Sequence, residues 1–475
     1  MERETTNNHL HVVMFPFFAF GHISPFVQLS NKLSLHGVKI SFFSAAGNIG
    51  RIKSMLNSDN TQIVPLTLPA VEGLPPGAQS TADLPAAAAE LLPVALNLMQ
   101  PQIKALLVKL KPHFVIFDFA QDWLPPLAAE LGIKTIFYSV FVALATAFAT
   151  VPARLPGGEK SPTVEEMKKL KWDFSQQKPP PGFPTTTSVA SLRTFEARDF
   201  LYIFKTPHDG GGAVYDRVLA GLKGCSAILA KTCYEMEAPY IDYVKSQFKK
   251  PFLLAGPVVP EPVSGELDQK WADWLSQFEP STVIYCSFGS ETFLKDDEIK
   301  ELALGLELTC LPFFLVLNFP ANVDVASELN RALPAGFTER VKGRGIIHSG
   351  WVQQQQILAH SSVGCYVCHA GFSSVIEGIV NECQLVILPL KGDQFMNAKL
   401  LAGDMKIGVE VNRRDEDGYF WKEDIQKAMQ TITGEEGAST RANQAKWKEF
   451  LVDKEIQSKF IKDLVKVMRD MATMN

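Results

Sequence analysis

The sequence begins with no apolar segment of the kind that directs secretion. Residues Met1 to Thr5 are polar, whereas a signal peptide requires an apolar core. The best candidate for a membrane span is the uncharged run from Thr135 to Val151, which is interrupted by hydroxyl side chains and starts like a strand. We interpret this run as a buried strand that leads into a core helix. We therefore expect a cytoplasmic protein without stable membrane insertion.

An excess of positive charge is also absent. Lys and Arg together number 46 and are outnumbered by 51 Asp and Glu, which gives a net charge of −5. Basic domains that bind nucleic acid have the opposite balance, so no nucleic-acid partner is expected.

Cysteine is scarce, with seven residues scattered along 475. An odd and scattered set in a long chain predicts reduced thiols rather than a disulfide framework. The Cys365-x-x-Cys368 pair has no second cysteine pair to complete a zinc site. Side chains three residues apart in a strand also point to opposite faces. We interpret both cysteines as structural thiols.

Two common nucleotide-binding motifs are missing. A nicotinamide oxidoreductase needs G-x-G-x-x-G after its first strand, and residues 15–24 do not contain it. The G-x-x-x-x-G-K-[ST] loop of P-loop hydrolases does not occur either. The run Gly210-Gly211-Gly212 lacks a preceding strand, so it is interpreted as a flexible loop.

Alternating apolar strands and helices fill the chain. The start predicts a strand from His9 to Phe15, a loop holding His22, a helix capped by Ser24, and a strand from Val38 to Phe43. Continuous apolar strands joined by helices are typical of parallel α/β sheets. Further strands are predicted at His113–Phe117, Thr135–Tyr138, Val283–Cys286, Phe313–Leu317, Gly345–Ser349, Val363–Val367 and Leu385–Leu388.

The length and the breaks in the pattern predict two α/β domains. We expect an N-terminal domain at 1–255, a linker at 256–270, a C-terminal domain at 271–450 and a final helix at 451–475. The irregular, proline-rich residues 155–190 are a candidate lid over an acceptor.

The segment from Trp351 to Gln394 contains two strand-and-helix units. A short apolar strand ends at His369-Ala370-Gly371, and the N-cap residue types Ser373 and Ser374 begin a helix. Such a turn binds anions, because free N–H groups and the helix dipole point at the ligand.

This 44-residue segment resembles the donor-binding signature of the plant UDP-dependent glycosyltransferases that act on small secondary metabolites. The residues that carry the resemblance are Trp351, Gln354, Ile357, Leu358, His360, Gly364, His369, Glu377, Asp393 and Gln394. It departs from the family in Phe372-Ser373-Ser374, where Trp-Asn-Ser is usual, and in Gln353, where proline is common. The changes at Phe372 and Ser373 lie among residues that distinguish one donor sugar from another.

The resemblance implies a GT-B fold, with two Rossmann-like parallel-sheet domains facing across a cleft. It also implies that Trp351 stacks on uracil, that Gln354 and Glu377 bind ribose and that His369 holds the diphosphate. Asp393 and Gln394 would bind the sugar. The donor-binding residues expected on this basis are Ser290, Trp351, Val352, Gln354, His369, Gly371, Phe372, Ser373, Ser374, Glu377, Asp393 and Gln394.

The same resemblance assigns the chemistry. His22 follows the first strand, where the family has its catalytic base, and an imidazole can accept a hydroxyl proton at neutral pH. Asp118, at the end of another strand, would orient it; Asp122 is the competing carboxylate. The reaction would invert the anomeric carbon, and we identify no paired acidic metal motif of the Asp-x-Asp type. Neither a metal nor a cofactor is predicted, because the UDP-sugar is a co-substrate.

Longer phrases resemble the branch of this family that extends glycosides. They include F-E-A-R-D-F-L from Phe195, N-R-R-D-E-D-G-Y-F from Asn412 and H-A-G-F-S-S-V-I-E from His369. The last is most similar to anthocyanidin 3-O-glucoside rhamnosyltransferases. UDP-rhamnose and a phenolic glycoside are therefore the expected substrates, and the protein is expected to be a monomer. UDP-glucose, UDP-xylose, a free aglycone as acceptor, and a UDP-sugar-binding protein without turnover are the alternatives.

Four aromatic residues flank the expected base. Phe17, Phe18, Phe119 and Trp123 could stack on a flat phenolic ring. Ordinary core packing explains them equally well.

Overall fold

The chain folds into two compact α/β units, each built on a parallel sheet. The computed structural model describes residues 10–57, 60–84, 88–155, 178–185, 187–205, 212–261, 265–290, 292–320 and 323–474. One unit comprises Met1–Met167, Ile203–Val258 and Lys454–Asn475, and the other comprises Lys168–Tyr202 and Val259–Asp453.

The described part of the first unit contains a seven-stranded parallel sheet in the order β3-β2-β1-β4-β5-β6-β7. Its strands are β1 His11–Phe15, β2 Lys39–Ala45, β3 Thr61–Leu66, β4 Phe114–Phe117, β5 Lys134–Ser139, β6 Ala227–Ala230 and β7 Phe252–Leu254. Every residue of β1 and β4 is buried, because helices cover both faces of the sheet centre.

The described part of the second unit contains a six-stranded parallel sheet in the order β10-β9-β8-β11-β12-β13. Its strands are β8 Val283–Ser287, β9 Phe313–Val316, β10 Gly345–His348, β11 Val363–Cys368, β12 Gln384–Ile387 and β13 Gly408–Glu410. The pairing of β11 with β8 shifts register between Val363 and Cys365, and Gly364 lies close to the residues just before β8. A methyl group on Gly364 would lie 2.2 Å from the Ser281 carbonyl oxygen. Only glycine fits this approach.

Helices connect the strands in both units. In the first unit they are Phe20–Ser34, Ile49–Met55, Leu91–Leu98, Gln100–Leu110, Leu124–Ala129, Ala143–Ala149, Val214–Gly224, Tyr234–Phe248 and Lys454–Thr473. In the second they are Thr194–Phe200, Gln269–Leu275, Asp296–Leu308, Val325–Ala332, Phe337–Arg340, Gln354–Leu358, Phe372–Val380, Gln394–Ala398, Lys422–Thr433 and Ala438–Val452.

All strands predicted from the sequence are present, with ends that differ by at most two residues. Four strands were not predicted, and each has a weak sequence pattern. β3 is a half-exposed edge strand that includes Pro65, and an edge strand tolerates a residue without an N–H donor. β7 and β13 have three residues each, and β6 has four.

The first helix corrects a sequence-based prediction. It begins at Phe20 rather than at Ser24, with Ala19 as its N-cap. The Ala19 carbonyl accepts the N–H groups of His22 and Ile23 at 2.9 and 2.8 Å. His22 therefore lies in the first turn of the helix, not in a loop. Pro25 is the sixth residue of the helix, so the Gly21 carbonyl lacks the N–H group that would bind it in a regular helix.

The predicted helical stretch from Ala86 to Leu110 is two helices with a break at Met99, and residues 85–87 lie outside the described part. Among the described residues, no single helix is long and apolar enough to cross a membrane. This pair, bent by 52°, meets the criterion by length and composition only. The run from Thr135 to Val151 is a buried strand followed by a buried helix, as interpreted above.

The final helix packs on the core of the first unit. Ile461, Leu464, Val465 and Met468 are buried with residues of β1 and of the first helix. Gly256 has a φ of +69°, and a methyl group there would lie 2.6 Å from the Phe460 ring. The helix therefore closes over a position that only glycine can occupy.

Residues 187–202 group with the second unit, although the sequence placed them in the first domain. Their side chains bind residues 399–416, more than 200 positions further along the chain. Most of the candidate lid, 156–177, lies outside the described residues.

Candidate active site

The strand order of the first sheet reverses at β1 and β4, which are adjacent and lead to connections on opposite sides. Ligands of open α/β sheets bind at such a switch point, beyond the carboxyl ends of the strands. His22 follows β1, and Asp118 directly follows β4. Because Phe15 pairs with Phe117 at the ends of the two strands, the sheet brings both side chains to one place.

His22 and Asp118 form a direct pair. The Nδ1–H of His22 donates to Asp118 Oδ2 at 2.7 Å, and the side chains are 14% and 2% exposed. Asp118 also accepts the N–H groups of Phe17 at 3.2 Å and Phe119 at 2.7 Å. Because an ionised carboxylate can only accept hydrogen bonds, the hydrogen of the imidazole lies on Nδ1. Nε2 is then the basic nitrogen.

Asp122, the competing carboxylate, has a different partner. Its Oδ1 accepts from Arg217 Nη1 at 2.9 Å. Burial raises the pKa of Asp122, while the nearby Arg217 opposes that rise. The geometry therefore pairs His22 with Asp118 and assigns Asp122 to an ion pair.

Three aromatic rings surround the His22 imidazole. The ring centroids of Phe17, Phe119 and Phe141 lie 5.6, 5.4 and 5.4 Å from it. Phe141 was not predicted, although its place just after β5 could have indicated it. Phe18 is fully buried and packs in the core, whereas Trp123 is half-buried and its ring packs against Phe15 with centroids 6.3 Å apart.

The second sheet has its own switch point between β8 and β11. The Gly289 turn follows β8, and His369 follows β11. A methyl group on Gly289 would lie 3.1 Å from the His369 ring, and one on Gly371 would lie 2.6 Å from Nε2. The two glycines thus let their backbones approach the imidazole. Ser290, the exposed residue that follows Gly289, belongs to the same turn.

His369 is a neutral imidazole at neutral pH. Burial lowers its pKa to about 4, with a smaller contribution from Lys391. Among the described residues, its Nδ1 has no hydrogen-bond partner. A neutral imidazole can donate one hydrogen bond to an anion without adding a charge.

The following helix begins two or three residues earlier than predicted. Gly371 is the N-cap, so Phe372, Ser373 and Ser374 are the first three helical residues. Their N–H groups lie at the start of the helix, at the positive end of its dipole. Phe372 is buried, and its ring packs inward rather than facing solvent.

A network of amides and hydroxyls supports Glu377. Its two carboxylate oxygens accept from Gln354 at 2.8 Å and Gln355 at 3.0 Å. Gln354 Oε1 in turn accepts the hydroxyls of buried Tyr285 and Tyr366, both at 3.3 Å. Gln355 was missed, although it lies inside the signature segment. The network holds Glu377 and Gln354 in fixed positions beside each other.

Trp351 is 77% exposed, although Val352 beside it is buried. Asn318 donates to the Gly289 carbonyl at 2.8 Å and accepts the Gly350 N–H at 3.1 Å. Asn318 therefore joins the turn after β8 to the loop that carries the indole. Its position just after β9, as a polar residue at a strand end, is a signal that could have identified it.

Gln394 is buried at the start of a short helix. Its Oε1 accepts the N–H groups of Leu390 at 3.0 Å and Lys391 at 3.1 Å. Asn397 donates to Asp393 Oδ2 and to the Ala370 carbonyl, both at 2.9 Å. The end of the segment is thereby linked to the turn that follows His369.

The cysteines are free, and all except Cys310 are buried. Burial raises the pKa of the Cys368 thiol to about 12, so it is not a reactive thiolate. The expectation that the chain lacks an Asp-x-Asp motif was wrong, because one occurs at Asp415-Glu416-Asp417. Asp415 binds Thr194 and Asp417 binds Arg414. Among the described residues, no group of His, Cys, Asp or Glu side chains could hold a metal ion.

Comparisons with known proteins identify relatives of the whole chain. The family model described as UDP-glucoronosyl and UDP-glucosyl transferase matches residues 276–439. An anthocyanidin-3-O-glucoside rhamnosyltransferase of Petunia hybrida is 68% identical over 99% of this chain and 98% of its own length. A cyanidin 3-O-galactoside 2''-O-xylosyltransferase of Actinidia chinensis var. chinensis is 40% identical over 97% of this chain and 98% of its own.

A solved structure has the same fold. The crystal structure of Glycyrrhiza uralensis UGT73P12, complexed with glycyrrhetinic acid 3-O-monoglucuronide, aligns with a TM-score of 0.77 at 22% identity. The alignment covers 98% of this chain and 96% of that one. The GT-B fold expected from the sequence is confirmed, as is the resemblance that suggested it.

Proposed function

The chain belongs to the plant family of UDP-dependent glycosyltransferases, and we propose that it transfers rhamnose from UDP-rhamnose to a hydroxyl of a flavonoid or other phenolic glycoside. The observation that carries the proposal is the His22–Asp118 pair at a switch point. A protein that only bound a UDP-sugar would not need a buried carboxylate to orient an imidazole.

In this proposal, His22 is the general base. Nε2 takes the proton of the acceptor hydroxyl, and the hydroxyl oxygen forms a bond to the anomeric carbon of the sugar. The bond between that carbon and the diphosphate oxygen breaks, and UDP leaves with the electron pair. Attack opposite the leaving group inverts the anomeric configuration. Asp118 stabilises the imidazolium that forms.

The departing diphosphate is stabilised by neutral hydrogen-bond donors. His369 offers one N–H, and the start of the helix Phe372–Val380 offers the positive end of its dipole. Ser290 adds a hydroxyl from the turn after β8. We assign uracil to exposed Trp351 and ribose to the pair of Gln354 and Glu377, with no role for a metal.

Two observations favour rhamnose as the donor sugar. The Petunia relative carries that activity in its name. Phe372 stands where the family usually has tryptophan, which removes an indole N–H near the sugar and suits a 6-deoxy sugar. Because the Actinidia relative is named a xylosyltransferase, UDP-xylose is the second candidate for the donor. Gln394 at the end of the segment makes UDP-glucose a further candidate.

The test is a product-mass assay with purified protein. A flavonoid 3-O-glucoside is incubated separately with UDP-rhamnose, UDP-glucose and UDP-xylose, with EDTA throughout. We expect a deoxyhexose increment from UDP-rhamnose. A hexose or pentose increment would retain the mechanism and replace the donor, and glycosylation of the free aglycone alone would replace the acceptor.

A His22→Ala variant separates the enzyme from a binding protein. We expect it to bind UDP as tightly as the parent and to lose turnover by at least about 10²-fold, the usual contribution of a general base. If the variant binds UDP equally well and the parent transfers no sugar from any donor, the chain is a UDP-sugar-binding protein.

A further inference from the structure

Residues 187–202, which we call the strap, run along the second unit next to the end of the signature segment. Ser188 fixes one end, because its N–H and Oγ both bind Asp404, at 2.8 and 2.6 Å. Asp404 ends a π-helical turn that directly follows the helix Gln394–Ala398. The strap is therefore attached to the element that carries Gln394.

The middle of the strap is held by buried charges. Glu196 is 1% exposed and binds Arg193 at 2.6 Å and Lys399 at 2.9 Å. Arg193 also pairs with Glu410. Moving the strap away would leave the buried Glu196 carboxylate without a compensating positive charge, which is strongly unfavourable. These ion pairs therefore hold the strap in one position. The ring of Phe195 packs against Phe395, the neighbour of Gln394, with centroids 5.6 Å apart.

The far end of the strap binds the sugar-recognition turn itself. The Gly392 N–H donates to Asp199 Oδ2 at 2.6 Å. Gly392 has a φ of +58°, and a methyl group there would lie 3.5 Å from the Tyr202 hydroxyl. The N–H groups of Leu390 and Lys391 are already bound by Gln394. Two side chains, one from the strap, thus hold three successive backbone N–H groups just before Asp393.

We propose that Asp199 is a positioning residue for the donor sugar, which it orients by fixing the turn that presents Asp393 and Gln394. This inference rests on the proposed function, in which these two residues bind the sugar hydroxyls. The uridine end of the donor is assigned to Trp351, Gln354 and Glu377. Loss of the Asp199 contact should therefore weaken recognition of the sugar and leave recognition of UDP intact.

Calorimetric titration of the parent and an Asp199→Ala variant with UDP and with UDP-rhamnose tests this. A hydrogen bond to a charged acceptor corresponds to about a tenfold to hundredfold effect on an equilibrium constant. We expect Asp199→Ala to lose that factor in affinity for UDP-rhamnose, while UDP affinity stays within about twofold. Asp199→Asn keeps an acceptor oxygen and should recover most of the loss.

Thr194→Ala is the matched control. It removes another anchor of the same strap, the 2.6 Å bond from Thr194 Oγ1 to Asp415, without touching Gly392. It should leave both affinities within about twofold. The midpoint of thermal unfolding is measured for every variant, so that a general loss of structure is recognised.

Two results would overturn the inference. One is an equal loss of UDP and UDP-rhamnose affinity in Asp199→Ala, and the other is a Thr194→Ala variant as impaired as Asp199→Ala. Binding without turnover tests the inference separately from the reaction. If the parent binds UDP-sugars and transfers none, the proposed function fails while the Asp199 comparison still stands.

Discussion

Replacing Asp118 by asparagine tests the central chemical assignment. Asp118 uses both carboxylate oxygens: Oδ1 accepts from Phe119, and Oδ2 accepts from His22 and Phe17. Asparagine has one acceptor oxygen. If that oxygen binds Phe119, its NH₂ group faces His22 Nδ1 and donates to it. The hydrogen of the imidazole then moves to Nε2, and the base is lost.

The expected effect of Asp118→Asn is large on catalysis and smaller on folding. A wrong tautomer costs on the order of 10⁴-fold in kcat, which is about 5 kcal/mol of transition-state stabilisation. At least one buried N–H is left facing the NH₂ group, so the free energy of unfolding should fall by about 1–3 kcal/mol. The assays are initial rates at saturating donor and acceptor, and denaturant unfolding.

Asp122→Asn is the matched control for this prediction. Asp122 lies four residues away, is partly buried and is paired with Arg217, so the same substitution also weakens a charged contact. It should lower stability while kcat stays within about threefold of the parent. An Asp118→Asn variant with kcat within tenfold of the parent, or an Asp122→Asn variant equally impaired, would refute the assignment.

Two further predictions concern the second unit. Trp351→Ala removes a side chain that is 77% exposed, so the free energy of unfolding should change little. UDP affinity measured by calorimetry should fall about fivefold to hundredfold, because the stacking on the base is lost. Trp421→Ala removes another exposed tryptophan and should leave UDP affinity unchanged, so equal affinities in the two variants would contradict the stacking role. Gly371→Ala places a methyl group 2.6 Å from His369 Nε2 and should weaken UDP binding at least about tenfold. Gly50→Ala, which meets no atom within 4 Å, should have no effect, and full affinity in Gly371→Ala would mean that the imidazole is not held against the phosphates.

Much of the architecture could be predicted because it depends on neighbours in the chain. Buried parallel strands are continuous apolar runs, and polar residues that follow them mark the carboxyl edge of a sheet. This reasoning placed His22 after β1, Asp118 after β4 and His369 after β11. The same reasoning failed for β3 and β13, whose half-exposed or three-residue patterns carry little signal.

Helix starts were predicted less well. Serine was expected to cap the helices at Ser24 and at Ser373 or Ser374, but the structure uses Ala19 and Gly371. Neither helix has a side-chain cap, because the sheet and the preceding turn already fix where it begins. Packing overrode local preference at both positions that hold functional residues.

The sequence by itself determined the alternation of strands and helices and the signature segment, and it indicated His22, Asp118 and Asp122 as candidate residues, since each is a local pattern. Only the tertiary structure decided which distant residues meet. The phrases F-E-A-R-D-F-L and N-R-R-D-E-D-G-Y-F are separated by about two hundred residues, yet Thr194, beside the first, binds Asp415 in the second, and Asp199 binds Gly392. No local periodicity encodes such contacts. They depend on burying Glu196 between two cations, which is possible only when the whole second unit is folded.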